Sequence, residues 1–136
     1  MYKIIILFKN SEDNKIDTSK SYSLKEAIEI VKALRKNNIN AELYPAEYAN
    51  VQISVDKAWE IAKAEYNKVK SLNPANYGDL QNGSDRPIYY NFYCRDYEKE
   101  KSGMIPGYYG IRVDKITGKL VSKQEAMEYY KLNYSF

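Results

Sequence analysis

Two segments in the second half of the chain alternate between apolar and polar side chains, and this alternation constrains the fold more than any other feature. They are residues 88–97 and residues 108–114. A period of two is typical of a half-buried β-strand. The second segment ends in a turn over residues 114–118, after which the chain continues to a helix signal at Ser122. The pattern predicts a β-hairpin over residues 88–114.

The two faces of this predicted hairpin differ in composition. One face is mainly apolar and consists of Ile88, Tyr90, Phe92, Cys94, Tyr109, Ile111 and Val113. The other carries Asn91, Asp114 and a set of tyrosines and arginines that we call the Tyr/Arg face: Tyr89, Tyr93, Arg95, Tyr97, Tyr108 and Arg112. A register shifted by one residue would bury both arginines, which is costly. The Tyr/Arg face is therefore the candidate binding surface, unless a helix covers it and the tyrosines belong to the core.

Three segments carry helix signals. A capping box at Ser23 and Glu26 opens the first, and Ser54 with Asp56 in the first turn opens the second. A further capping box begins at Ser122. The predicted buried faces are Leu24, Ala27, Ile28, Val31 and Leu34 in the first helix, Val55, Ala58, Trp59, Ala62, Tyr66 and Val69 in the second, and Ala126, Met127, Tyr130 and Tyr134 in the third.

The N-terminal part predicts a β-α-β unit. Residues 2–9 form a β-branched run, residues 11–21 a polar loop, and residues 41–44 a second strand that Pro45 ends. If these strands are parallel, the crossover should be right-handed. A boundary is possible at residues 49–53, but neither part alone would bury much surface. We predict one compact α+β domain over residues 1–136, with helices on one mainly antiparallel sheet and a helix-hairpin-helix unit after the β-α-β unit.

The composition argues against most catalytic chemistry. The chain has no histidine and one cysteine, Cys94, so it lacks the usual general base, and it can form neither an intrachain disulfide nor a cysteine-based zinc site. Cys94 lies on the apolar hairpin face, which indicates burial. Asp96, Glu98 and Glu100 alternate with lysines, as in a solvated turn. We predict no catalytic residues, no metal site and no cofactor.

Charge and apolar run lengths limit the partners. There are 21 basic and 18 acidic residues, a net charge of +3, so a dedicated nucleic-acid binder is not expected. The apolar run at residues 4–8 is too short for a signal-peptide core or a membrane span. Together with the single cysteine, this predicts a cytoplasmic protein without membrane association.

Two separated segments carry a resemblance to known families. ISVDKAWEIAKAEY, followed later by YYGIRVDKITGKLVS, resembles the PepSY-like pattern, in which a helix leads to a strand ending V-D-x-x-T-G-x-[VL]. It is also similar to small cystatin-like immunity proteins of bacterial toxin systems, in which a helix packs across a curved antiparallel sheet. The matching positions are Ala58, Ile61, Ala62, Val113, Asp114, Thr117, Gly118 and Leu120. The resemblance implies protease inhibition or regulation. Turn chemistry alone also explains Asp114, Thr117 and Gly118.

The tyrosine content has two explanations, an AT-rich coding genome or a recognition surface. Tyrosine occurs 15 times in 136 residues, and tyrosine and arginine dominate binding hot spots. We expect a non-enzymatic binding protein, an inhibitor or immunity-type module, that recognises a protein partner through the Tyr/Arg face. One alternative is a small anionic or nucleotide-like ligand clamped by Arg95 and Arg112 between stacked tyrosines. A second is single-stranded nucleic acid, which the near-neutral charge disfavours.

Overall fold

The secondary structure alternates short strands and helices along the chain. The computed structural model describes residues 1–7 and 17–136. Its elements are β1 Tyr2–Ile6, α1 Leu24–Lys36, β2 Ala41–Pro45, α2 Val55–Leu72, β3 Gln81–Asn82, β4 Tyr89–Arg95, α3 Tyr97–Lys101, β5 Tyr108–Asp114 and α4 Lys123–Tyr134. Residues 8 and 9 of the predicted first strand, and 11–16 of the predicted polar loop, lie outside the described residues.

The predicted α+β class is confirmed. In the described part of the chain the strands form two antiparallel sheets, β1–β2 and β3–β4–β5, where the sequence predicted one. Four helices accompany them. The predicted hairpin is present as β4 and β5.

The β-α-β order of the N-terminal part is present as β1, α1 and β2, and the two strands are antiparallel, so the condition for a right-handed crossover is not met. Tyr2 pairs with Pro45 and Ile6 with Ala41. The reason lies before α1, where the backbones of Tyr2 and Tyr22 exchange hydrogen bonds of 2.8 and 2.7 Å. The chain thus returns to the start of β1 before α1 begins. Helix α1 then leads to the end of β1, where Ala41 pairs with Ile6, so β2 must run back toward the start of β1.

The described chain divides into two compact units. The first consists of Met1–Asn50 with Lys123–Phe136, and the second is Val51–Ser122. The chain passes from the first unit to the second within the candidate boundary at residues 49–53. The single domain stays a prediction. Helix α4 belongs to the first unit, whereas the helix-hairpin-helix grouping placed it with the hairpin.

In the first unit, α1 packs an apolar face on the β1–β2 sheet. The predicted capping box is confirmed, because Ser23 Oγ accepts from the Glu26 N–H at 3.2 Å and the Glu26 carboxylate accepts from the Ser23 N–H at 3.3 Å. Leu24, predicted on the buried face, is exposed in the first turn. The core consists of Ile4, Ala27, Val31, Leu34, Ala41 and Leu43.

Helix α4 closes the outer edge of β2 with a polar side chain. The buried amide of Asn133 accepts from the Leu43 N–H at 2.7 Å and donates to the Leu43 carbonyl at 3.1 Å. It replaces the hydrogen bonds of a neighbouring strand. The buried residues of α4 are therefore Tyr129 and Asn133. The predicted apolar face was wrong, since Met127 and Tyr130 are exposed.

In the second unit, α2 packs on β4 and β5. Its predicted N-cap is confirmed: Ser54 Oγ accepts from the Lys57 N–H at 3.1 Å. Trp59 is only partly buried, with its ring centroid 5.6 Å from that of Phe92 at an interplanar angle of 68°. The core of this unit consists of Ala58, Ala62, Tyr66, Leu80, Tyr90, Phe92, Cys94, Ile111 and Val113.

Replacing Asn133 by alanine should lower the free energy of unfolding by about 2–4 kcal/mol, because the buried N–H and C=O of Leu43 would lose their partners. Urea denaturation followed by circular dichroism measures this. The control is Asn67→Ala on α2, where the side chain is exposed. We expect it to change the stability by less than about 0.5 kcal/mol. Equally small effects of both substitutions would contradict the edge-closing role of Asn133.

Candidate functional site

The register of β4 and β5 brings most of the predicted Tyr/Arg face together. The cross-strand pairs on this side of the sheet are Tyr89–Asp114, Asn91–Arg112, Tyr93–Gly110 and Arg95–Tyr108. Because alternate residues of a strand point to the same side, and directly paired residues share a side, these side chains lie on one face. Helix α2 packs on the other face.

That other face is the core, as predicted. Phe92 and Cys94 are each 1% exposed, and Ile111 and Val113 are buried beside them. Burial raises the pKa of the Cys94 thiol. Cys94 therefore packs as a small apolar side chain beneath α2, on the side of the sheet away from the Tyr/Arg face.

The centre of the Tyr/Arg face is a shallow depression of about 550 Å³. The rings of Tyr93 and Tyr108 lie against each other, with centroids 4.9 Å apart. The Tyr93 hydroxyl donates to Gln81 Oε1 at 3.2 Å, and Tyr108 is 46% exposed. The lining consists of Asn82, Gly83, Ser84, Asn91, Tyr93, Tyr108, Gly110 and Arg112. The depression thus combines aromatic faces, amides, a hydroxyl and one cation.

Arg112 supplies that cation. Its Nε is buried and has no hydrogen-bond acceptor among the described residues. A guanidinium stays charged in proteins and carries five N–H donors. Buried donors are normally paired, so this Nε is an exception among the described residues. Because Arg112 also lines the depression, a group bound there would meet its guanidinium.

Arg95 is in a different state. Its Nε and Nη2 each donate to the Glu100 carboxylate at 2.9 Å, in a bidentate pair. These hydrogen bonds hold the pKa of Glu100 below its ordinary value and raise the pKa of Arg95. The charge of Arg95 is therefore compensated. Of the two arginines, Arg112 lines the depression and Arg95 does not, so the structure does not assemble the predicted two-arginine clamp.

Two other predicted residues lie away from the depression. Tyr97 begins α3 rather than extending the strand, because Asp96 Oδ1 accepts from the Lys99 N–H at 3.2 Å and caps a helical turn. The ring of Tyr97 still lies 5.0 Å from the Arg95 guanidinium. Tyr89 is only 8% exposed, so it is buried rather than displayed.

Sequence reasoning missed Glu100 and Gly110. Glu100 reaches Arg95 only because α3 folds the chain back, and the acidic-basic alternation gave no sign of that turn. Gly110 has a recognisable signal, since glycine within a strand often marks a close approach by a ligand or backbone. It lies opposite Tyr93, at the centre of the face.

The D-x-x-T-G turn after β5 has the predicted local chemistry. Asp114 Oδ1 accepts from the N–H groups of Ile116 and Thr117 at 2.8 and 2.9 Å. Gly118 has φ of +72°, in the region that favours glycine. The turn reading of these positions is confirmed.

Comparisons with protein-family models, with curated proteins and with solved structures find no match to this chain. In the segments that the structure describes, no helix is long and apolar enough to cross a membrane.

Cys94 should react slowly with iodoacetamide in the folded protein. The thiolate is the nucleophile, so the raised pKa and the burial both reduce the reactive fraction. At about pH 8, alkylation should be at least roughly 100-fold slower than in guanidinium chloride. Mass spectrometry follows the labelling. Similar rates in both conditions would contradict the buried assignment.

The same pKa shift predicts a pH dependence of stability. For an acid whose pKa is raised by folding, stability is full below the unfolded pKa, about 8.5 for a thiol, and falls as the pH rises through the folded value. Cys94→Ala should remove this part of the alkaline loss, measured as the melting temperature against pH.

The carboxyl pKa of Glu100, measured by carbon-detected NMR, should lie below the ordinary value of about 4.3. Arg95→Gln should raise it toward that value, because the two charge-assisted hydrogen bonds disappear. The stability from this pair is present above the ordinary carboxyl pKa and is lost as the pH falls through the folded value. Arg86→Gln is the matched control and should leave the Glu100 titration unchanged. An unchanged titration in Arg95→Gln would refute the assigned cause.

Proposed function

We propose that this chain is a cytoplasmic, non-enzymatic binding protein that recognises a protein partner through its Tyr/Arg face, as an inhibitor or immunity-type module. The observation that carries the proposal is the central depression, which Tyr93 and Tyr108 line together with Arg112, whose Nε has no acceptor in the described chain. Tyrosine and arginine at the centre of a surface are the residue types that dominate binding energy.

The chemistry of the depression supports recognition. Its polar groups are amides, hydroxyls and a guanidinium, which bind through hydrogen bonds and stacking. The single thiol is buried on the opposite face, and the chain has no histidine. The residues around Arg112 thus offer donors and aromatic surface rather than a nucleophile with its base.

The exposure pattern supports the same proposal. Tyr108 is an exposed aromatic residue in a strand whose other face is packed. Its ring lies against that of Tyr93, and its carbonyl accepts from Lys99 Nζ of α3 at 2.8 Å. A rigid tyrosine pair offers contact area at a small cost in conformational entropy.

A small anionic ligand is the second candidate. The volume of about 550 Å³ falls within the range of ligand pockets. With Arg95 held by Glu100, such a ligand would meet one guanidinium instead of two. The structure therefore supports a small anionic ligand less strongly than the sequence did, because the sequence suggested a clamp of two arginines.

The test is affinity capture from a lysate of the source cells with quantitative mass spectrometry. Tyr108→Ala and Arg112→Ala should each weaken capture of a specific protein, by about 1–4 kcal/mol in later binding measurements, without lowering the melting temperature. The matched control is Tyr130→Ala, because Tyr130 is 62% exposed and its ring lies 4.7 Å from that of Tyr134. Capture that all three variants retain would refute the proposed face.

A further inference from the structure

The depression owes its shape to a missing side chain. On β5, Gly110 lies between Tyr108 and Arg112 on the same face. A Cβ at Gly110 would come within 3.2 Å of Arg112 Nη1, so the guanidinium lies over the glycine. A glycine inside a strand weakens it, and such a position often marks a close approach by another molecule. Gly110 thus forms the floor of the depression, with Arg112 beside it.

The charge of the depression indicates what it would bind. Among the described residues that line the depression, Arg112 is the single charged one, and the other polar side chains are amides and hydroxyls. Nε is buried without an acceptor among the described residues. A carboxylate matches a guanidinium in geometry, through two parallel hydrogen bonds, and in charge. A phosphate dianion would leave a negative charge uncompensated in this lining, which disfavours it.

Two acidic residues near this part of the sheet accept hydrogen bonds from backbone N–H groups. Asp114 Oδ1 accepts from the Ile116 and Thr117 N–H groups, and Asp85 Oδ1 accepts from the Asn91 N–H at 3.2 Å. Glu100 forms an ion pair with Arg95 at 2.9 Å, so a carboxylate within reach of an arginine on this face pairs with it.

The edge of β5 offers a second contact to an extended segment. The Val121 N–H donates to the Arg112 carbonyl at 2.8 Å, and the Asp114 N–H to the Lys119 carbonyl at 2.8 Å, so these backbone groups point away from β4. Alternation along the strand directs the N–H and C=O of Gly110 to the same outer edge. Lys119 and Val121 already occupy this edge at Asp114 and Arg112, and Lys99 Nζ donates to the Tyr108 carbonyl at 2.8 Å. Among the described residues the backbone groups of Gly110 lie between these two occupied stretches, which leaves room for a short backbone contact with an extended segment.

We infer that the Gly110 depression binds the carboxylate of an acidic side chain in an extended segment of the partner protein. Arg112 holds the carboxylate in a bidentate pair, and the rings of Tyr93 and Tyr108 border it. The peptide backbone lies along the β5 edge at Gly110. This inference rests on the proposed function, because it names the chemistry that the Tyr/Arg face recognises.

A pair of synthetic peptides tests this without the natural partner. The probes are acetyl-Thr-Val-Glu-Val-Thr-amide and its glutamine counterpart, titrated into isotope-labelled protein by NMR. The glutamate peptide should shift the Gly110 amide and the Arg112 Nε–H in a saturable way, and the glutamine peptide should bind at least about tenfold more weakly. Equal affinities of the two peptides would overturn the carboxylate site.

Variants separate the depression from general electrostatics. Gly110→Val fills the floor without changing any charge, and valine suits a strand, so the protein should remain folded while the glutamate peptide binds at least about tenfold more weakly. Arg112→Gln should have a similar effect and serves if the valine variant unfolds. The control Arg86→Gln removes an arginine outside the lining, and binding should stay within about twofold. Undiminished binding in folded Gly110→Val or Arg112→Gln would overturn the proposal.

Three further outcomes are distinct. If acetate or inorganic phosphate shifts Arg112 while neither peptide shifts Gly110, the site binds small anions, and the peptide inference is overturned. If the glutamate peptide binds as expected but face-dependent capture from lysate fails, the carboxylate site stands while the proposed function fails. If capture depends on the Tyr/Arg face but the two peptides bind with equal affinity, the proposed function is supported and the carboxylate site is overturned.

Discussion

The pairing of β4 with β5 is the constraint on which the second unit depends. Phe92, Cys94, Ile111 and Val113 fill the space beneath α2, and each is 4% exposed or less. A shift by one residue would exchange the faces of one strand and bring a guanidinium into that core. The core therefore fixes the opposite face as well. The core on one side of the sheet therefore determines which side chains surround the depression at Gly110 on the other side.

The turn after β5 holds this register at one end. Gly118 has positive φ, and a Cβ there would lie 3.4 Å from the side chains of Ile53 and Ile61. The carbonyl of Lys115 accepts from the backbone N–H groups of Gln52 and Ile53, both at 3.0 Å, which connects the turn to the segment before α2. The glycine thus satisfies a local turn and a close approach to α2. Both reasons are physical and independent of ancestry, so the D-x-x-T-G match by itself does not establish a family.

Local signals were readable from the sequence, and contacts between distant segments were not. The caps at Ser23 and Ser54 depend on residues within one helical turn, and both are present. Asn133 forms hydrogen bonds with Leu43, 90 residues away in the sequence. Because Asn133 is polar, it adds nothing to the apolar pattern from which the buried face of a helix is predicted. The face of α4 was therefore assigned wrongly. Similarly, strand alternation predicted where Arg95 points, but the helical turn that delivers Glu100 to it depends on the cap at Asp96.

The two arginines of the face differ in whether the chain itself compensates their charge. Arg95 lies at the end of β4, where α3 provides Glu100, and its charge is compensated within the chain. Arg112 lies in mid-strand beside a glycine, with its Nε buried and without an acceptor in the described chain. A buried unpaired donor costs about 1–3 kcal/mol, and a glycine within a strand costs roughly another 0.5–1 kcal/mol. Natural sequences keep such local losses chiefly where function requires them. Both losses fall within two residues of β5, and the proposed carboxylate site would give them a common cause.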